Sequence, residues 1–432
     1  MRNGARLASA VQILAEINKR NRSATSVLKD WSVANRFAGS SDRLAIGSLV
    51  YEALRRKLSF ANQMQNDSPR SLILAATPHI FAVTIDQILE IADGSRYALS
   101  PLSTEELAGL KRQLSTDVPQ YIRGDYPKWL ARSIERAFGN DAARQGSALA
   151  RRAPLDLRTN ALKTERAQVL KALEHTSAVP SANMPLAIRI PIHKGLVRIP
   201  NMETETSYHK GWFEVQDEGS QIAAALAGAG SRLQILDLCA GAGGKTLAFA
   251  GAMNNIGKIV AFDTNKRQLQ PIFKRIQRAG ALNVQVLEAA NIFALNNFGA
   301  CFDIVFVDAP CTGSGVWRRK PDTKWRLKPT DLANRISEQH EVLTIARKLV
   351  KPGGYLLYVT CSILPEENID QVAWFLGMAT NFNLVSYTMR WNKILPTEAP
   401  LSADKNLQTL QLTPASHGTD GFFIATFERQ II

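Results

Sequence analysis

The stretch VDAPCTGSGVWRRKPDTKW, residues 307–325, sets a carboxylate, Asp308, three positions before a thiol, Cys311. A second thiol, Cys361, follows the apolar run YLLYVT and precedes SILPEEN. The runs VFVD and YLLYVT predict buried strands, so Asp308, Cys311 and Cys361 are expected just past strand carboxyl ends, where open α/β sheets hold their ligands. One Asp and two Cys suit a demanding reaction. The C5 carbon of cytosine or uracil is a poor nucleophile until a thiolate adds at C6 and drives electron density towards C5. After a group is transferred to C5, its proton must be removed so that the thiolate can leave. A carboxylate near ring N3 can stabilise the protonated ring meanwhile. Cysteine is also a small hydrophobe often buried without a role, and the thiols of Cys239 and Cys301 are read that way.

A second motif, ILDLCAGAGGKT, is an apolar strand run, a Gly-rich turn and the start of a helix. Gly241, Gly243 and Gly244 permit a tight positive-φ turn and let backbone N–H groups approach a ligand. The next strand run, KIVAFD, ends in Asp263, placed to accept hydrogen bonds from ribose hydroxyls. The spacing matches neither G-x-G-x-x-G nor G-x-x-x-x-G-K-[ST], so S-adenosylmethionine is expected rather than NAD or a nucleoside triphosphate.

The elements that must position these residues follow from the patterning. At 432 residues the chain exceeds one hydrophobic core. Residues 1–115 are rich in three- and four-residue apolar spacing (ARLASAVQILAEINKR, SSDRLAIGSLVYEALRRKLSFANQM, ATPHIFAVTIDQILEIAD) and predict an all-α domain. Residues 116–212 hold a linker helix and a small α+β module of short extended runs around TERAQVLKALEHT. From 213 to 432, strand, Gly-rich turn and helix alternate, which predicts a Rossmann-like α/β domain with a parallel doubly wound sheet.

The net charge of +14 and a pI near 9.7 point to a polyanionic partner. Residues 151–200 carry nine basic and three acidic side chains, and residues 318–328 carry six and one. Trp317 and Trp325, interleaved with Arg318, Arg319, Lys320, Lys324, Arg326 and Lys328, read as stacking faces beside phosphate-binding charges. Arg158, with Arg151, Arg152 and Lys163, is expected to hold RNA backbone. The four cysteines form no CxxC pair and no zinc-ligand spacing, so neither a disulfide framework nor a metal is expected. With no long apolar run, a cytoplasmic monomer away from membranes is expected.

LDLCAGAGGKT, VDAPCTGSGVWRRKPDTKW and YVTCSILPEEN together resemble the signature motifs of the RNA cytosine-5 methyltransferases of the Sun (RsmB) family. GWFEVQDEGSQIAAAL and TDGFFIATFER are similar to its flanking segments, so the resemblance spans roughly residues 154–432. The helical region is similar to the NusB-like domain of the bacterial ribosomal-RNA members. The resemblance implies a class I methyltransferase fold and transfer of a methyl group from S-adenosylmethionine to C5 of a cytosine, in small-subunit (16S) ribosomal RNA before transfer RNA. A catalytically weakened RNA-binding assembly factor is the reading from another class. It further implies that Cys361 is the nucleophile on C6, that Cys311 assists release of the enzyme, and that Asp308 contacts the cytosine or the methionine end of the cofactor. Cys239, Ala240, Gly241, Ala242, Gly243, Gly244 and Lys245 would wrap the methionine and ribose, and Asp263 would hold the ribose hydroxyls. The chain departs from the family at Ala242, where Pro is usual, and at Ala290 and Asn291, where an acid is usual. Asn291 would then accept from the adenine amino group.

Overall fold

The computed structural model describes residues 1–20, 22–113, 117–192, 200–288 and 292–431. The first third is helical: Asn3–Arg20, Ala24–Ala34, Ser40–Arg55, Lys57–Met64, Pro69–Phe81, Ile85–Ile91 and Thr104–Lys111. Their apolar stripes close on one core that includes Leu7, Leu14, Leu49, Phe60, Leu72 and Ile73. Side-chain hydroxyls of Ser23, Ser68, Thr84 and Ser103 accept backbone N–H bonds at helix starts, which explains why these helices begin where they do. The run 40–64 breaks at Arg56, which is not helical. Among the described residues no single helix is long and apolar enough to cross a membrane.

Helices Ala131–Phe138 and Ala142–Leu149 lead into a four-stranded antiparallel sheet. Its strands are β1 (Leu155–Thr159), β2 (Val179–Pro180), β3 (Ala187–Ile190) and β4 (Phe213–Val215), in the order β2-β3-β1-β4. Helix Arg166–Ala172 covers it over a core of Leu157, Val169, Leu173, Ile188 and Phe213. Residues 213–215 thus pair with the small sheet, one strand beyond the boundary expected at 212.

The last sheet has eight strands: β5 (Gln234–Leu238), β6 (Lys258–Phe262), β7 (Val284–Leu287), β8 (Phe302–Asp308), β9 (Val350–Thr360), β10 (Phe382–Val385), β11 (Leu410–Leu412) and β12 (Phe422–Arg429). The order is β10-β12-β9-β8-β5-β6-β7, with β11 also on β12. β5 to β9 are mutually parallel, but β12 runs antiparallel to β9, β10 and β11, so the sheet is mixed rather than wholly parallel. The reason is connectivity: β12 follows the short strands β10 and β11 and enters beside β9 from the opposite end. Successive residues of the central strands alternate between two cores. Ile235, Ile259, Ile304 and Phe306 face one, and Leu236, Val260, Val305 and Val307 face the other. Strands covered on both faces read as unbroken apolar runs, which is why they are legible in the sequence.

Candidate active site

The site forms where β5, β6, β8 and β9 end. Beyond β5 the chain turns through Cys239 (φ 70°), Gly241 (φ 52°) and Gly243 (φ 80°) into helix Gly244–Ala252. Gly243 has no substitute, since a Cβ there would lie 2.4 Å from Ile272 Cγ1 on top of the strained φ. The turn is braced on every side. The Gly243 N–H donates to Ala240 O (2.9 Å), the Ala240 N–H to Phe262 O (2.8 Å), and Arg275 Nη1 to Ala242 O (2.8 Å). That guanidinium holds the Ala242 carbonyl and so stiffens the turn. Glu214 receives Arg275 at 2.8 Å and also pairs with Arg278.

Asp263, directly after β6, is buried and accepts the N–H groups of Gly241 (2.8 Å) and Asn265 (2.7 Å), one on each oxygen. It therefore shapes the loop as well as facing it. A carboxylate has about four acceptor positions, so two remain for ribose hydroxyls. Beneath the loop, Asp237 is wholly buried, takes the Thr246 hydroxyl at 2.5 Å, and has its pKa pushed up to about 7 by burial.

Lys245 lies on the first turn of the helix and reaches across to Asp308, Nζ to Oδ2 at 2.6 Å. Burial works against the Lys245 charge, but the Asp308 carboxylate outweighs it and holds the ammonium above its ordinary pKa. Asp308, at the end of β8, keeps one third of its side chain exposed on the open side. Beyond it, Cys311 Sγ lies 3.4 Å from Cys361 Sγ, within hydrogen-bonding range for sulfur. The hydrogen bond to Cys361, then burial, push the Cys311 thiol well above its ordinary pKa. Cys311 accordingly keeps its proton, and the two sulfurs share an S–H···S hydrogen bond.

One buried carboxylate that sequence reasoning gave no role ties the two thiol loops together. Glu367 accepts the Thr312 N–H (2.7 Å) and Gln339 Nε2 (3.3 Å) on one oxygen, and the hydroxyls of Thr312 (2.6 Å) and Ser362 (2.5 Å) on the other. Thr312 follows Cys311 and Ser362 follows Cys361, so Glu367 fixes the distance between the sulfurs. Its neighbourhood in PEEN, directly after the second thiol strand, was the available signal. Gly315 and Gly421 pass backbone against backbone above this point. A Cβ on Gly315 would stand 2.1 Å from Gly421 O, so only glycine lets the two loops meet.

The basic aromatic segment does something other than expected. Trp317 is buried, packed with Tyr126, Leu130 and Leu332, and cannot stack on a base. Arg318 is buried in ion pairs with Asp217 (3.2 Å) and Asp420. Arg319 pairs with the same two carboxylates at 2.8 and 2.5 Å. Lys324 is buried, donating to the carbonyls of Arg55 (2.7 Å) and Asp125 (2.6 Å), and Trp325 Nε1 donates to Leu54 O (2.6 Å). These side chains lock the helical region and the small sheet onto the catalytic domain, because carboxylates and carbonyls distant in sequence neutralise them. Arg158 is likewise buried, bonded to Gln216 and to Gly244 O (2.8 Å), where it braces the cofactor helix. Of the expected RNA contacts Lys320, Lys328, Arg151 and Lys163 are exposed. Ala290 and Asn291 lie outside the described residues.

Residues 225–428 match the family described as 16S rRNA methyltransferase RsmB/F, and residues 126–193 match the ferredoxin-like domain of RsmF/B-like methyltransferases. The ribosomal RNA small subunit methyltransferase B of Sodalis glossinidius is 32% identical over 351 residues, 78% of this chain and 75% of that protein. The chain belongs to the RsmB/F methyltransferase family. The crystal structure of PH0851 shares the fold over 99% of this chain and 98% of that one, with a TM-score of 0.73 at 24% identity. NSun6 from Pyrococcus horikoshii, solved with SFG, matches 71% of this chain and 99% of its own, with a TM-score of 0.62 at 20% identity. The methyl donor of this family member is S-adenosylmethionine. The residues present fit it: a glycine turn at a helix start, Asp263 with acceptor positions to spare, and the half-open Asp308.

Proposed function

We propose that this RNA methyltransferase modifies C5 of a cytosine in small-subunit ribosomal RNA through a covalent adduct between Cys361 and C6. The observation that carries this reading is the 3.4 Å approach of two thiols within hydrogen-bonding range, beside a Lys245–Asp308 pair at the strand ends. The bound S-adenosylmethionine supplies an electrophilic methyl group, held by residues 239–245 and Asp263. The Cys361 thiolate, stabilised by the Cys311 S–H, forms the S–C6 bond while the C5–C6 electron pair becomes available at C5. As charge builds on the ring, N3 takes up a proton from solvent, and the Asp308 carboxylate, its charge held by Lys245, accepts a hydrogen bond from that N3–H until the proton leaves again with restoration of the ring. Once Cys361 is bonded to carbon its negative charge is gone, and the main cause of the raised Cys311 pKa goes with it. The C5 electron pair takes the methyl group, Cys311 releases its own proton to solvent in the cavity that opens from it, and the resulting thiolate takes the C5 proton. The electron pair left at C5 re-forms the C5–C6 double bond and the S–C6 bond breaks, returning the Cys361 thiolate. The helical region, read as a NusB-like domain, and the small sheet would hold the surrounding RNA.

Cys361→Ala should abolish methylation and leave no adduct, whereas Cys311→Ala should transfer the methyl group and stall as a covalent protein–RNA complex on a denaturing gel. A trapped complex with Cys361→Ala instead would reverse the assignment, and full activity in both variants would exclude the covalent route. Bisulfite mapping of RNA from a deletion strain identifies the nucleotide.

A further inference from the structure

A cavity of about 450 Å³ lies in the helical region, away from the thiols, lined along helix Ser40–Arg55 by Arg43, Gly47, Tyr51 and Arg55 and closed by Trp31 and Arg152. Positions 43, 47, 51 and 55 are four apart and share one helix face. Three features mark it as a built site. First, Gly47 sits mid-helix, where glycine costs about 1 kcal/mol relative to alanine, yet a Cβ there would meet nothing within 4 Å. No packing constraint calls for it, and the missing side chain keeps the cavity floor clear. Second, the lining holds three arginines and no carboxylate. Third, Arg55 is buried, but among the described residues its guanidinium makes two hydrogen bonds, both 3.4 Å and to Arg318 O, while its ion pair with Glu52 is 3.9 Å long and it lies 5.8 Å from the Tyr51 ring centroid. Burial, helped by the Arg152 charge nearby, lowers its pKa to about 10. A buried guanidinium with such long contacts invites an anion. Trp31 and Tyr51 add flat faces of the kind on which bases stack.

The place of the cavity says which anion. Helix Pro321–Arg326 packs on helix Ser40–Arg55 through Lys324 and Trp325, while its Thr323 and Arg326 line a second cavity, of about 310 Å³, that opens from Cys311. A six-residue helix therefore joins the wall of the catalytic cavity to the helix that carries the arginines. We propose that the arginine cavity binds a nucleotide of the RNA substrate outside the target position, its base against Trp31 and Tyr51 and its phosphate among Arg43, Arg55 and Arg152. The proposal rests on RNA being the substrate of the thiol site.

Gly47→Leu tests it by plugging the cavity, with Gly47→Ala as the graded control that improves the helix and fills little of the space. Affinity for a ribosomal RNA fragment is measured at fixed salt, together with crosslinking of the same RNA carrying 4-thiouridine, mapped by mass spectrometry. The expected result is at least tenfold weaker RNA binding by Gly47→Leu, loss of crosslinks at Trp31 and Tyr51, and near-normal binding by Gly47→Ala. Thermal unfolding reports that both variants fold. RNA affinity unchanged in Gly47→Leu, or wild-type crosslinks absent from this helix face, would overturn the proposal, including in favour of an acidic peptide as the occupant. If the wild-type chain neither binds nor methylates the RNA, the substrate reading itself fails, a result distinct from loss of the cavity alone.

Discussion

Replacing Glu367 by glutamine removes a charge from the one carboxylate that spans the two thiol loops. Four donors converge on it, three of them at 2.7 Å or less. A hydrogen bond to a charged acceptor contributes about 1.5–3 kcal/mol and a neutral one about 0.5–1.5. The three short bonds each stand to lose about 1 kcal/mol, so Glu367→Gln should cost about 3 kcal/mol. For a domain of this size that is a fall in melting temperature of roughly 6 to 12 °C. Glu367→Ala strands all four donors and should cost about 4–6 kcal/mol, close to the whole stability of many domains, so glutamine is the informative change. The catalytic effect follows from geometry. A displacement of about 1 Å between reacting groups can cost about 100-fold in rate, and Glu367 holds the residues next to both sulfurs. Turnover should fall about 100-fold, while calorimetric affinity for S-adenosylmethionine stays unchanged because the 239–245 loop does not touch Glu367. A glutamine variant with wild-type melting and turnover would refute the assignment of Glu367 as the positioning residue.

Asp308→Asn leaves the buried Lys245 ammonium without its counter-charge. Burial, the largest influence on Lys245, is then opposed by Asp237 and Cys361 without Asp308 and should pull its pKa below the unfolded value, so the variant should lose stability as pH falls, as urea unfolding across pH would read. Asp263→Ala removes the Gly241 anchor and the ribose acceptor together, and should weaken S-adenosylmethionine binding by about 1–3 kcal/mol in a calorimetric titration. Arg318→Ala leaves Asp217 and Asp420 to Arg319 alone, so it should lower the melting temperature, at a cost below the about 3–5 kcal/mol of breaking a buried pair outright, rather than act on RNA affinity alone. Lys324, pushed down to about 8 by burial, gives a pH signature. Its folded pKa lies below the unfolded value, so the penalty for its charge is present below pH 8 and relieved as pH rises towards about 10.4. Wild-type stability relative to Lys324→Met should therefore rise across that window, measured by paired denaturant titrations.

The reading of residues 317–325 shows where sequence patterning stops. Alternating Arg, Lys and Trp describes a surface for polyanions equally well as a buried joint, because the pattern contains one half of each ion pair. The other half, Asp217 and Asp420, lies about a hundred residues away on either side and meets Arg318 and Arg319 only when β4 and β12 reach their places. Lys324 is similar, since its partners are backbone carbonyls of the helical region and carry no sequence signal.

Local chemistry was legible wherever it depends on neighbours in the chain. The glycine turn after β5, the acid ending β6 and the thiols just past β8 and β9 follow from strand runs, positive-φ turns and the rule that ligands gather at strand ends. The same patterning gave the helical first third, because amphipathic spacing and side-chain caps are encoded within a few residues. Tertiary structure alone decided the rest: that the two sulfurs lie 3.4 Å apart, that Glu367 sets that distance, that the sheet closes with antiparallel strands, and that Gly47 faces a cavity. Each of these is a meeting of segments distant in the chain. Burial and pairing then set the charge state and role of a side chain, and neither quantity exists until the chain has folded.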